Sequence, residues 1–473
     1  MKIQWKEKRW EMLFLTAVFL LLVIWAAILP FDQAADERMR YNVVDYIVRH
    51  NALPHGDDPE LRNEVWGISY AFNPILSYMV SALFVKVVKL FTDSFDVILF
   101  AARFVNVLLG TGTAYFVMKL GKKVFEGGAS RMFIALAVFL PQGLFVFSYV
   151  NNDGLALFSG AVIIYMWALA MEDGWNFKIC TGLSVGIALL ALSYYNAYGW
   201  ALTSVLFFAA TVLGGKKKWD FKTLFGRGFF IALLVLLLAG WWFARNYVIY
   251  DGDFLGQASS RASGILYAQE PYKPGNLFNG EKLGQGLLGM FFYQDPGWEH
   301  NWLVMVAVGF VGLFGRMDLY MPYWWSKLYF LVFAVGFLGV IVNYFPVFSF
   351  RGGKRLREVR NVEGGKVLTR VTLLQDHLSS KSIFHWCLLI GMVIPFILLC
   401  IYSYSSDMQA QGRYILPMTI PFMYFVTLGY QFLLNRLVKN GRIREMVCNV
   451  LAAAAALSAL LVFLTVVVPA YIG

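Results

Sequence analysis

Stretches of about twenty consecutive apolar residues recur along this 473-residue chain, from Met12 nearly to its C-terminus. A bilayer core about 30 Å thick takes about 20 helical residues at about 1.5 Å of rise each. In lipid, every backbone N–H and C=O must be satisfied within the segment, which leaves the helix as the element for such runs. Hydrophobic residues make up 59% of the chain and charged ones 15%, against about 25% charged in a soluble domain. A water-soluble globule has nowhere to put that much apolar surface, so the chain reads as one all-α, polytopic integral membrane domain over 1–473.

Lys2, Lys6, Lys8 and Arg9 precede the run from Leu13 to Leu29, an order shared with signal peptides. The run is longer than a signal core and Ile28-Leu29-Pro30 is not a small-residue cleavage site, so a retained first span is expected. Cys180, Cys387, Cys400 and Cys448 fall in apolar runs without a CxxC pair or a histidine at ligand spacing and read as small core residues. The net charge of +11 is carried by short basic blocks between apolar runs. That pattern sets membrane orientation and favours anionic headgroups; a nucleic-acid partner is not expected.

The blocks that must share the cytoplasmic side are the N-terminus, Lys119 to Arg131, Lys216 to Lys222, Arg351 to Lys381 and Arg436 to Arg444. Between the second and third lie four apolar runs, 132–149, 154–171, 179–195 and 197–213, an even number as required. Between the N-terminus and Lys119 lie three, 12–30, 74–91 and 97–118. Parity therefore lays 74–91, which begins at Pro74 and carries Lys86 and Lys89, along the outer interface as a juxtamembrane helix. The same count makes 302–314 a second one, with spans at 228–248, 323–346, 384–402, 414–434 and 447–469. The expectation is about eleven transmembrane helices, N-terminus inside and C-terminus outside. It leaves two long outer loops, 31–73 and 250–301, and a basic cytoplasmic loop, 350–382, read as a solvated, lipid-facing anchor.

The first outer loop opens Phe31-Asp32-Gln33-Ala34-Ala35-Asp36-Glu37-Arg38-Met39-Arg40-Tyr41. Carboxylates at a membrane surface can accept a proton from a hydroxyl or hold a divalent cation; the plainer reading is an N-cap by Asp32 or Asp36 on an amphipathic helix continuing through Val43, Val44 and Ile47. Asn151-Asn152-Asp153-Gly154 places a carboxylate and two amides at the head of a span on the same side, again as site or as cap. Arg245-Asn246 ends one span and Arg413-Tyr414 begins another. Arginine at an outer boundary opposes the orientation rule and asks for an anion. Phosphate suits the guanidinium fork, and snorkelling to headgroups is the alternative.

No Gly-rich phosphate loop precedes a strand, and neither a Walker motif nor HExxH is present, which argues against a nucleotide-driven pump. Charged residues within spans are sparse apart from Arg103, followed by Asn106; a proton-coupled transporter would carry more.

Together these segments resemble the membrane glycosyltransferases of the C-type fold (GT-C), which take sugars from polyprenyl-phosphate carriers. The resemblance rests on Asp36-Glu37 after the first span, Tyr70-Ala71-Phe72-Asn73-Pro74, Arg103 to Thr113, and Asn151-Asn152-Asp153. It continues through Arg245-Asn246 with Asp251-Gly252-Asp253, and Gln411-Gly412-Arg413-Tyr414 with Pro417 and Pro421. Phe314-Gly315-Arg316-Met317-Asp318 and Met321-Pro322 resemble its DUF2142-like branch. The resemblance implies juxtamembrane helices in the first outer loop and a catalytic base there, Asp36 first and Glu37 second. It implies substrate binding by Asn152, Asp153, Arg245, Asn246, Arg413 and Tyr414, with the two arginines near the carrier phosphate. Asp36 and Asp153 would hold Mg²⁺ or Mn²⁺ if they converge. The implied partners are a polyprenyl-phosphate sugar donor, a lipid or cell-envelope glycan acceptor, and membrane lipids. The implied place is a plasma membrane, bacterial by the family, with the site on the extracytoplasmic face. The chain departs from the oligosaccharyltransferase branch in lacking a WWD-type motif and a large soluble domain after the last span, so a peptide acceptor is not expected. The rival readings are a transporter or flippase of lipid or polyprenol-linked glycans, and a non-catalytic scaffold of the same fold.

Overall fold

The computed structural model describes the backbone of residues 2–215, 219–350, 354–363, 366–375 and 378–472, and side chains over 8–215, 219–350 and 378–472. Lys216, Lys217, Lys218 and Arg351, which helped to set the expected topology, lie outside the described residues. Among those described, nine helices are long and apolar enough to cross a membrane: Lys8–Ile28, Phe95–Val124, Asp153–Asp173, Tyr195–Gly214, Phe221–Ile249, Tyr323–Val342, Ser380–Ser405, Gly412–Leu437 and Gly441–Ile472. The protein is a multi-pass helical membrane protein.

Helix length alone does not reproduce the count of eleven. Phe177–Ala191, one expected span, has 15 residues. The run 132–149 is broken into Gly127–Val138 and Pro141–Val146. Pro141 has no N–H to donate to the preceding turn, and its ring pushes the residue before it out of the helical region; Leu140 is accordingly extended. The break turns Gln142 inward, where its Oε1 accepts the Leu313 N–H at 2.7 Å. The runs expected to lie along the outer interface form helices of 13 residues, Leu76–Val88, and 11 residues, Trp302–Gly312, shorter than a crossing needs.

Two short β elements interrupt the helical plan. Leu313–Phe314 pairs with Leu319–Tyr320, and in the basic loop Lys354–Glu363 pairs antiparallel with Lys366–Gln375, Lys354 opposite Gln375. Alternation such as Val367, Thr369, Val371, Leu373 suits a pleated strand.

Lipid as solvent explains the packing. The outward face of Phe221–Ile249 is apolar, with Phe225, Phe229, Leu236, Leu237 and Val248 exposed. Inside, Trp25 stacks on Phe463 and Trp167 on Phe207, centroids 5.0 and 4.8 Å apart. The helices Tyr323–Val342 and Thr419–Leu437 meet backbone to backbone: a Cβ at Gly429 would lie 1.7 Å from the Gly336 carbonyl oxygen. Small residues at the crossing allow that approach where apolar burial gives helices no reason to associate.

The two ends of the bundle differ. At one end the basic blocks meet acids: Glu11 with Lys119 and Lys122, both at 2.8 Å, Lys123 with Glu172 at 2.5 Å, and Arg131 with Glu445 at 2.6 Å. At the other the loops knit into one layer. Gln269 donates its N–H to the Val65 carbonyl, Gly280 to Ser403 and Met408 to Phe278. Asp153 heads the helix Asp153–Asp173 on the loop side and Glu172 sits at its far end.

Candidate active site

Asp36 sits in the left-handed backbone region, φ +62°, immediately before the helix Glu37–His50. Its side chain makes no capping bond to that helix; the cap comes from Asp32, whose Oδ1 accepts the Arg38 N–H at 3.3 Å. Instead Asp36 Oδ2 accepts from the Tyr70 hydroxyl and from Arg413 Nη2, each at 2.9 Å, with Arg40 Nη2 4.0 Å away. Among the described residues Oδ1 accepts no hydrogen bond, and the side chain is 34% exposed. Burial alone would push the carboxyl up. The Arg413 and Arg40 guanidinium groups, with the hydrogen bonds from Arg413 and Tyr70, outweigh burial and hold it at about 2.

Asp153 behaves likewise. The cap of its helix is supplied by Asn151, whose Oδ1 accepts the Gly154 N–H at 2.8 Å, which leaves Asp153 free to accept from Arg40 Nη1 at 2.9 Å. Arg40 is 1% exposed, stacks over the Tyr70 ring at 4.8 Å, and so links the two carboxylates. Asn152 is fully buried, and neither atom of its carboxamide has a hydrogen-bond partner among the described residues.

Arg413 is held from behind. Its Nε donates to Gln411 Oε1 at 2.6 Å; Gln411 donates in turn to Gln409, and Gln409 to Asp407. The path is a period-two pattern, Asp407-x-Gln409-x-Gln411-x-Arg413. It depends on Gly412, where a Cβ would lie 1.9 Å from the backbone nitrogen of Phe310. Arg413 Nη1 is buried with no hydrogen bond of good geometry, and a buried donor in that state costs about 1–3 kcal/mol unless an acceptor reaches it. Tyr414 contributes a hydroxyl 3.4 Å from Arg413 Nη2 and a ring near-parallel to Tyr194 at 6.4 Å. Beside Arg413, Gln142, Tyr149 and Gly412 line a cavity of about 10 Å³, room for about one water. A cavity of about 370 Å³ lined by Asp173, Thr211 and Arg227 lies at the far end of the helix from Asp153, about 30 Å away at 1.5 Å per residue.

Glu37 is not placed as a base. It is fully buried, and Arg103 clasps it with Nε to Oε1 and Nη2 to Oε2, both at 2.7 Å. Its oxygens also accept the N–H groups of Val150 and Asp32. Arg103 donates further to the carbonyls of Ala26, Leu29 and Pro30, and one turn on, Asn106 holds the carbonyls of Tyr149 and Asn151. The charge that looked out of place in a span is the anchor of two loops. A carboxylate so fully bonded has no oxygen left to take a proton.

Arg245 and Asn246 also depart from the expectation. Arg245 Nη2 donates to the Pro54 carbonyl at 2.6 Å, its Nη1 to Asn246 Oδ1 at 3.3 Å, and Asn246 Nδ2 to the Phe254 carbonyl at 3.4 Å. Together with the Tyr250 hydroxyl, which accepts the Gly56 N–H, they tie the first outer loop to the second. No hydrogen bond or ion pair among the described residues joins them to Asp36. Sequence reasoning did not single out Arg40 and Gln409, and it quoted Gln411 in a motif without giving it a role; Arg40 was discernible as a basic residue one turn after Asp36, on the same helix face.

The expected metal pair does not fit a hard cation. Mg²⁺ and Mn²⁺ take about six oxygens, and among the described residues no group of three or more His, Cys, Asp or Glu side chains converges. The guanidinium of Arg40 lies between Asp36 and Asp153.

No family model matches the chain, so Phe314 to Asp318 gains no family assignment from sequence; those residues form the tight β turn, from which Arg316 reaches Asp32. No curated protein matches it in sequence. Solved structures do. The oligosaccharyltransferase of Archaeoglobus fulgidus in its apo form aligns over 99% of this chain and 56% of its own length, at 15% identity and a TM-score of 0.53. The archaeal oligosaccharyltransferase AglB from Archaeoglobus fulgidus, in complex with an inhibitory peptide and a dolichol-phosphate, aligns over 96% and 55%, at 15% identity and 0.52. ArnT from Cupriavidus metallidurans bound to undecaprenyl phosphate aligns over 96% and 70%, at 11% identity and 0.50. This chain thus spans little more than half the length of each archaeal chain. Its fold is that of the C-type membrane glycosyltransferases.

Proposed function

We propose that this protein is a membrane glycosyltransferase that moves a sugar from a polyprenyl-phosphate donor to a lipid or cell-envelope glycan acceptor on the outer face of the membrane, with Asp36 as the base. The observation that carries the reading is the state of Asp36. One oxygen is held by Tyr70 and Arg413, while the other is free on a one-third exposed side chain. A base needs that free oxygen, and a fixed second oxygen to aim it.

The donor's phosphate binds at Arg413, where the unpartnered Nη1 and the neighbouring Tyr414 hydroxyl, whose oxygen accepts from Arg413 Nη2, offer two donors. Arg245, bonded to the Pro54 carbonyl, is left out of the clamp. Asp36 Oδ1 accepts the proton of the acceptor hydroxyl as its oxygen attacks the anomeric carbon. The bond to the phosphate breaks with its electron pair on the phosphate, and the anomeric configuration inverts. Phosphate leaves readily and needs charge stabilisation more than a proton, which a guanidinium supplies. A carboxyl at about 2 is a weak base. Phosphate arriving at Arg413 competes for the guanidinium that depresses Asp36, so the base strengthens when the donor is in place. The cavity beside Arg413 is small, and the loop layer has to open to admit the donor.

The test uses the purified protein in liposomes with a radiolabelled polyprenyl-phosphate sugar and a membrane-lipid acceptor. Appearance of free polyprenyl phosphate together with glycosylated lipid is expected. Movement of intact donor across the bilayer without bond cleavage supports the flippase reading instead, and neither event supports the scaffold.

A further inference from the structure

We propose that the Arg40 guanidinium takes the place of a divalent cation between Asp36 and Asp153, so that the site works with a permanent, protein-borne positive charge and needs no metal ion. The inference deepens the glycosyltransferase reading and rests on it for its activity arm alone.

The geometry is specific. Arg40 Nη1 is 2.9 Å from Asp153 Oδ2, and Nη2 is 4.0 Å from Asp36 Oδ2, so one planar group addresses a carboxylate from each of two distant segments. Helical spacing of four residues returns Arg40 to the side of Asp36. The group is not mobile decoration: it is 1% exposed and lies over the Tyr70 ring, whose hydroxyl donates to the same Asp36 oxygen. A dissociable cation here would have to share two carboxylates with a buried guanidinium that has no other charged partner among the described residues. Like charges that close repel strongly where dielectric is low. Two carboxylates also fall short of the oxygens that a hard cation collects.

The charge has a purpose. Asp36 and Asp153 facing a phosphate would repel it, and Arg40 neutralises that field without occupying the free Oδ1 of Asp36. Unlike a metal, it cannot be stripped away, and with Nη1 and Nη2 turned to Asp153 and Asp36 its effect on the reaction runs through the two carboxylates it positions.

The experiment measures Mn²⁺ binding to the full chain by electron paramagnetic resonance, beside transfer activity with and without EDTA. The wild type is expected to bind no Mn²⁺ at this site and to keep its transfer activity in EDTA. Arg40→Ser should open a Mn²⁺ site that disappears when Asp153→Asn is added, and Mn²⁺ should restore part of the transfer that Arg40→Ser loses; Arg40→Lys should keep activity without metal. Mn²⁺ bound by the wild type and lost in Asp36→Asn overturns the proposal, as does activity removed by EDTA and restored by Mn²⁺, or an Arg40→Ser protein that binds no more Mn²⁺ than the wild type. If Arg40→Ser does not fold, the wild-type titration and Arg40→Lys decide. Should the wild type transfer no sugar, the functional reading fails while the Mn²⁺ titration still decides this one.

Discussion

At the head of the helix Glu37–His50, two carboxylates one residue apart belong to different regions of the molecule. Glu37 points into the bundle, where Arg103 saturates it and in doing so pins the carbonyls that end the first span. Asp36 points into the loop layer, where Tyr70 and Arg413 leave it one oxygen and a third of its surface. Complete pairing with full burial builds architecture; incomplete pairing beside charge, at a strained backbone position, is what chemistry requires.

That contrast can be broken most forcefully at Arg103. Arg103→Ala leaves Glu37 buried and uncompensated and should cost about 3–5 kcal/mol, read as a large fall in melting temperature in detergent. Arg413→Ala should lower stability far less, because Asp36 is partly solvated. A small effect of Arg103→Ala would dissolve the distinction between anchor and site.

On the site side, Arg413→Ala should weaken donor affinity by about 10- to 100-fold, the worth of a charge-assisted hydrogen bond. Arg413→Lys should retain part of it, and equal losses would argue against recognition by the planar fork. The same variant should change the pH profile. Asp36 is held at about 2 in the folded protein, below the unfolded value of about 3.9. Its pairing therefore stabilises the fold above about pH 4 and is lost as pH falls towards 2. In the wild type kcat/KM should lack an acid limb attributable to Asp36 near pH 4; in Arg413→Ala such a limb should emerge as the carboxyl returns upwards. The smallest effect is expected of Arg245→Ala. Donor affinity should barely move, while limited proteolysis between Asn51 and Asn73 should quicken as the tie to Pro54 is lost.

Much of this was legible in the chain because its signals are local. The apolar runs declare their solvent, and Asp36, Asp153 and Arg413 stand out as charges at the ends of such runs. Arg103 was visible as an anomaly, but its partner lies 66 residues away, and only the fold could choose between Asp36 and Glu37. Arg40, one turn after Asp36, carried a positional signal that is easily passed over, because a basic residue on an amphipathic loop helix is ordinarily a solvated one; here that face is buried against Asp153. Arg245 misled for the opposite reason, since a boundary arginine can spend its fork on a backbone carbonyl. The hairpin Lys354–Glu363 with Lys366–Gln375 was masked by its charge, although Gly364-Gly365 between alternating segments is a turn signal.

The central claim, that Asp36 and not Glu37 carries the chemistry, is tested most directly by transfer from a radiolabelled polyprenyl-phosphate sugar in membranes bearing Asp36→Asn, scored against the amount of folded protein and its donor binding. Loss of general-base catalysis by about 10²- to 10⁴-fold in kcat, with fold and donor binding retained, is the expected result. Transfer at the wild-type rate in Asp36→Asn would contradict the account.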